Sequence, residues 1–216
     1  MKKNILIGLA LQALCMFCNT NIAEAQEYNQ RIAMEGVEMY GLVTFSPINQ
    51  LDDMTPGLYK FGYDDNFKPD DNSVLFNRYV AGGGVYHNGK IYCNVYSDEA
   101  HLPEQKPVWT ILDGNTYEVL YEKDLPDNCQ STTTSLAYDV TNDKIYGIVV
   151  DYSTSHLVEI DPETGDMTRV GKDFDYNLRF KTLVSDNRGM LYSVVIDTKD
   201  YGQYLYKIRK TDGMAG

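Results

Sequence analysis

The side chains able to do chemistry lie in the longer polar stretches between apolar runs: Asp52, Asp53, Glu99, His101, Glu104, Asp127, Asp200 and Tyr201. Carboxylates beside aromatics suit the recognition of a glycan, a peptide or a protein surface. Paired carboxylates are also what acid–base cleavage of a glycosidic bond requires. Covalent chemistry has no comparable footing. There is no G-x-S-x-G and no S-x-x-K to mark a nucleophile, and no G-x-G-x-x-G or phosphate loop. His87, His101 and His156 have no metal-ligand spacing, and His87 in His87-Asn88-Gly89 reads as a solvated turn residue. Asp64, Asp65, Asn66, Asp70, Asp71 and Asn72 offer the hard oxygens calcium takes. They lack the alternate-residue spacing and internal glycine of a calcium loop and read as a solvated connection. Neither a metal nor a cofactor is expected, and no catalytic residue is assigned.

The elements that must position these residues are short strands. Residues 135–174 show the unit most clearly. Leu136-Ala137-Tyr138-Asp139 can form an inner strand, and Thr141-Asn142-Asp143 a tight turn, since Asn and Asp tolerate left-handed backbone. Residues 144–151 follow with a centre, 145–150, that is apolar on both faces apart from Gly147. A strand with one wet face alternates, so a continuous apolar run predicts burial on both sides. Residues 156–161 make a third strand. Pro162-Glu163-Thr164-Gly165 turns the chain, and the more polar residues 167–171 suit a sheet edge.

Copies of this unit recur. The second-strand pair of an apolar residue and a tyrosine appears as Met39-Tyr40, Ile91-Tyr92, Ile145-Tyr146 and Leu191-Tyr192. Third strands begin at Leu58, Val108, Leu157 and Leu205, each followed by a polar turn. The spacing runs from 46 residues (Ile145 to Leu191) to 54 (Ile91 to Ile145). Such a period with four strands per repeat predicts an all-β chain of β-propeller blades. The blades are expected near residues 27–75, 76–125, 132–174 and 178–216. Residues 27–35 would supply the inner strand of the first. The last blade lacks its outer strand, which predicts an open arc from a longer propeller rather than a closed four-bladed ring, with self-association as one consequence.

On Ser135-Leu-Ala-Tyr-Asp139, Lys144-Ile-Tyr-Gly147 and Leu157-Val-Glu-Ile-Asp-Pro-Glu-Thr-Gly165, the chain resembles the secreted or surface β-propeller proteins of Gram-negative anaerobes, with blades of the YncE-like or quinoprotein-like kind. The resemblance implies fold and an extracellular or periplasmic setting. It carries no function, because propellers host many activities. The Gly-His and Trp-Asp pairs of WD40 blades are absent, and Gly82-Gly83-Gly84 is an isolated triplet.

At the N-terminus Lys2 and Lys3 precede an apolar run over residues 5–17, and Ala23-Glu24-Ala25 places small residues at the two cleavage positions. This is the pattern of a signal peptide over residues 1–25. Cys15 and Cys18 fall inside it, without the small preceding residue that lipid attachment needs. Removing Lys2, Lys3 and Glu24 from 19 basic and 31 acidic residues leaves 17 and 30, a net charge near −13. That balance argues against nucleic acid and anionic membranes as partners, and no further apolar run could span a bilayer. Of the two remaining cysteines, Cys93 falls mid-strand and Cys129 in a loop. Pairing needs their Cα atoms within roughly 7 Å; free thiols are favoured. Trp109, at the start of a third strand, reads as blade packing.

Connections between second and third strands, and between fourth and first, share one face of a propeller. Here they are mostly the longer ones, and they carry the residues named at the outset. Long loops on a rigid scaffold are where binding residues concentrate. The sequence therefore predicts a non-enzymatic binding module with its ligand on that face; the alternatives are a glycan-acting hydrolase or lyase using the same carboxylates, or an inactive fragment.

Overall fold

The structure, a computed structural model, describes residues 5–6, 38–43, 57–62, 74–78, 80–96, 107–125, 133–151 and 154–216. Every regular element among them is a strand, and the strands form four four-stranded sheets. The fold is all-β, built from β-propeller blades. The chain divides into two compact units, residues 1–77 and 78–216.

The first unit holds one blade: β1 (Ile5–Leu6), β2 (Glu38–Val43), β3 (Gly57–Gly62) and β4 (Val74–Phe76), side by side in that order. β2 to β4 form the expected antiparallel meander. β1 runs parallel to β2, with Ile5 opposite Met39 and Leu6 opposite Tyr40. The strand beside β2 thus comes from the apolar stretch read as a leader. Residues 27–35, expected at that place, lie outside the described residues.

The second unit holds three blades. The first has β5 (Val80–His87), β6 (Lys90–Tyr96), β7 (Pro107–Asp113) and β8 (Val119–Asp124). The next has β9 (Thr133–Asp139), β10 (Lys144–Asp151), β11 (Thr154–Ile160) and β12 (Met167–Val170). Both are antiparallel throughout. The glycine triplet sits where the pairing of β5 with β6 slips register, between Val80 and Gly84. Gly83 faces the next blade's β9: a Cβ there would stand in ordinary contact with Leu136 and Ser135, at 3.5 and 3.7 Å.

β10 is buried on both faces from Ile145 to Val149, as its sequence predicts. Successive side chains of a strand point to opposite faces. Ile145 and Val149 enter one apolar core with Val85, Tyr92, Trp109 and Ile111 of the preceding blade. Tyr146 and Ile148 enter a second core with Phe180, Leu191, Val195 and Ile208 of the following blade. The middle blade is the shared wall of both.

In the last blade the inner strand is broken into β13 (Leu178–Phe180) and β14 (Val184–Ser185), both antiparallel to β15 (Leu191–Asp197), which pairs on its other side with β16 (Gln203–Ile208). Side chains fill the break. The Ser193 hydroxyl donates to the Thr182 carbonyl, and the Val194 N–H donates to Thr182 Oγ1 at 3.1 Å. After the next turn Ala215 bridges antiparallel to Ile208, and Gly216 exchanges two backbone hydrogen bonds with Lys207, 2.9 and 3.1 Å. The outermost strand of this blade is begun by three residues, in accord with the incomplete last blade expected from the sequence.

Candidate functional site

One local device recurs through the second unit. In a five-residue turn the fifth N–H donates to the first carbonyl, and the fifth residue takes left-handed backbone. Asp113 to Tyr117 closes at 2.9 Å, Asp139 to Asp143 at 3.0 Å, Asp161 to Gly165 at 2.8 Å, Asp197 to Tyr201 at 2.7 Å and Arg209 to Gly213 at 2.9 Å. The fifth residues have φ of 62°, 58°, 71°, 58° and 67° in that order. In four of the five turns the first residue is aspartate. Its Oδ1 accepts the N–H two residues on: Asn115, Thr141, Glu163 and Lys199. Such aspartate turns form readily.

The fifth position wants glycine, asparagine or aspartate, because a Cβ in left-handed backbone crowds the next carbonyl. Gly165, Gly213 and Asp143 comply; Tyr117 and Tyr201 do not. Four of the turns lie at the end of the blades that carries the tight connections. The turn ending in Tyr201 joins β15 to β16 and lies at the opposite end, the face expected to bind.

Tyr201 is 80% exposed there, and its ring stabilises nothing by burial. Next to it Gly202 is so close under the Tyr204 ring that a Cβ would sit 2.6 Å from it. The Tyr204 hydroxyl donates to Asp200 Oδ2 at 2.6 Å, and the ring meets Tyr206 edge-on, centroids 6.4 Å apart. Tyr204 is therefore held flat over the turn with 45% of its surface open. The connection from β12 to β13 joins the same cluster. The Thr198 N–H donates to the Asn177 carbonyl at 2.9 Å, and Lys199 Nζ lies 3.4 Å from Asp175 Oδ2. Tyr176 on that connection is 67% exposed, and its carbonyl accepts from Arg179 Nη1.

The charges are mixed and engaged. Tyr204 and then the Gly202 N–H hold the Asp200 carboxyl below its usual range, and Asp200 in turn pushes the Tyr204 hydroxyl up. The Asn177 backbone N–H and side chain, with Lys199, lower Asp175. Both carboxylates are ionised at neutral pH and already accept hydrogen bonds, while keeping further lone pairs for a ligand.

Of the residues singled out from the sequence, Asp200 and Tyr201 stand together in this turn. Asp52, Asp53, Glu99, His101, Glu104 and Asp127 lie outside the described residues, as do Cys129 and the acidic stretch 64–72. Tyr176, Asn177, Arg179, Lys199 and Tyr204 were not picked out. A tyrosine at the fifth place of the turn is shared with Tyr117 at the opposite end of the blades, so it was no sufficient signal; what sets Tyr201 apart is its exposure, 80%.

The remaining candidates are structural. Trp109 is wholly buried, its Nε1 donates to the Pro162 carbonyl at 3.2 Å, and Gly165 leaves room for its ring. Cys93 is a free, buried thiol pushed up to about 12, first by desolvation. His87 is not a solvated turn residue. It stacks on Tyr138 of the next blade at 3.8 Å, with Nε2 3.4 Å from Asp143 Oδ1. No group of three His, Cys, Asp or Glu suited to a metal occurs among the described residues, and no helix long and apolar enough to cross a membrane occurs among them. No known protein family matches the chain, and no curated protein does.

Proposed function

We propose that this chain is an exported, non-enzymatic binding module of a Gram-negative bacterium, with its ligand on the face formed by the second-to-third and fourth-to-first connections. The observation that carries the reading is Tyr201: a large aromatic kept in left-handed backbone, four-fifths exposed, on that face. Backbone strain without a packing gain is expected where a side chain is needed for something other than stability. Export rests on the three-part leader, with cleavage after Ala25. Intact-mass measurement of exported material should give a chain beginning at Gln26; a chain retaining Cys15 or Cys18 would disprove the leader.

The face is tested by screening the mature chain against arrayed glycans and peptides. Neutralising Asp52, Asp53, Glu99, Asp127 and Asp200 together should abolish the signals while the far-ultraviolet β signal shows the chain still folded. If substitutions of Asn88 and Asn142 in the tight turns remove the signals instead, the ligand sits on the opposite face.

A further inference from the structure

We propose that the turn between β15 and β16 is a platform for a neutral saccharide, with Tyr201 and Tyr204 as the stacking surfaces. This rests on the binding-module reading and names its ligand class. Both rings are exposed, Tyr201 by 80% and Tyr204 by 45%, which leaves a face of each open to a partner. The face of an aromatic ring is electron-rich and attracts the weakly positive C–H groups that line one side of a pyranose, a weak contact that several C–H groups share. Tyr204 is pre-set for this: Gly202 beneath the ring, the bond to Asp200 and the edge contact with Tyr206 fix its plane. A side chain held in place before binding loses little entropy on binding.

The polar groups agree. Asp175, Asp200, Lys199 and Arg179 put both signs of charge around the rings, and each makes a hydrogen bond within the cluster. An anion would face two ionised carboxylates. A cation would meet the like charges of Lys199 and Arg179 beside those carboxylates. A neutral polyol demands no net charge and exchanges hydrogen bonds with all four. An extended peptide adds to a sheet edge through its backbone, whereas these residues present side chains from a turn and a connection.

The left-handed Tyr201 allows a test that separates binding from folding. The full mature chain is titrated calorimetrically with neutral hexose and N-acetylhexosamine oligosaccharides, with uronic-acid oligosaccharides and with a mixed decapeptide pool. Neutral oligosaccharides are expected to bind. Tyr201→Gly should weaken them about tenfold or more, the loss of one stacking contact worth roughly 1.4 kcal/mol. The same change should raise the thermal midpoint by about 2–4 °C by relieving the backbone. Tyr201→Phe should bind like the wild type. Binding of peptides alone, sensitive to Tyr201→Gly, would overturn the saccharide and leave the binding module standing. Preference for the uronic acids would overturn neutrality. Binding of a probe that Tyr201→Gly leaves unchanged would overturn the platform and leave the binding module standing; if no probe binds at all, both fall.

Discussion

Asp139 shows at the residue scale how the blades are fastened. Its side chain has no exposed surface, yet it is charged. Desolvation alone would raise its pKa. The Lys210 ammonium from the next blade and the Thr141 hydroxyl and N–H outweigh that and bring it below the usual carboxylate range. A folded-state pKa below the unfolded one contributes stability above the unfolded value, near 3.9, and loses it as pH falls through the folded one. The turn aspartates Asp113, Asp175 and Asp186, lowered first by backbone N–H groups, act in the same direction. The melting temperature should therefore hold steady at mildly acidic pH and fall below about pH 4. Asp139→Asn should flatten part of that fall. Lys210→Met strands a buried charge. Breaking a fully buried pair costs about 3–5 kcal/mol; with 26% of the Lys210 side chain exposed, about 2–3 kcal/mol is expected. Denaturant melts at pH 7 would show it, and Asp139→Asn in the same chain should restore most of the loss.

At the element scale β10 is the strand the others depend on. Ile148, with no exposed surface, belongs to the core shared with the last blade, while Val150 at the strand's end is 36% exposed. Ile148→Ala should cost about 2–5 kcal/mol and Val150→Ala less than about 1, in the same urea titration. Equal costs would mean that Ile148 is not enclosed by the core shared with the last blade. This strand was legible in the sequence because so short a continuous apolar run, 145–150, bounded by polar turns, fits a strand covered on both faces. The structure returns the same limits, 144–151. The inner strand of the middle blade was read three residues short. Thr133 is buried but polar, so its side chain gave no apolar signal. The break between β13 and β14 was not legible, because Ser193 and Thr182 bridge it through bonds that only the fold brings together. The site was half legible for a related reason. Loop length pointed to Asp200 and Tyr201, but the exposure of Tyr176 and Tyr204 depends on where the chain stops packing. The tyrosines beside apolar strand residues, such as Tyr92 and Tyr146, are buried as expected.

On the scale of the whole molecule, a repeat fold is held by contacts between neighbours, so its stability is nearly a sum over adjacent pairs. Both apolar cores lie within residues 78–216, one on each side of the middle blade. The ion pairs that join its blades, Lys90 with Glu163, Lys123 with Asp166 and Lys210 with Asp139, are internal to the same unit. Arg78, at its first position, bonds to Glu122 and to the Tyr96 carbonyl, so a fragment must begin no later. A chain of residues 78–216 should consequently fold by itself. The sequence supplies a reporter, since Trp109 is its only tryptophan and stands, wholly buried, in the core between the first two blades of this unit. In the fragment, tryptophan emission should be blue-shifted, should move to the red in one cooperative step with urea, and should do so at the urea concentration where the far-ultraviolet β signal disappears. Coincident transitions by two probes are the mark of a single folding unit. Ile148→Ala, placed in the other core, should shift the Trp109 transition by the same amount as in the full chain. If Trp109 reports water-exposed emission in the fragment, or melts apart from the β signal, the three blades do not hold together through their own two cores, and folding of the second unit depends on residues 1–77.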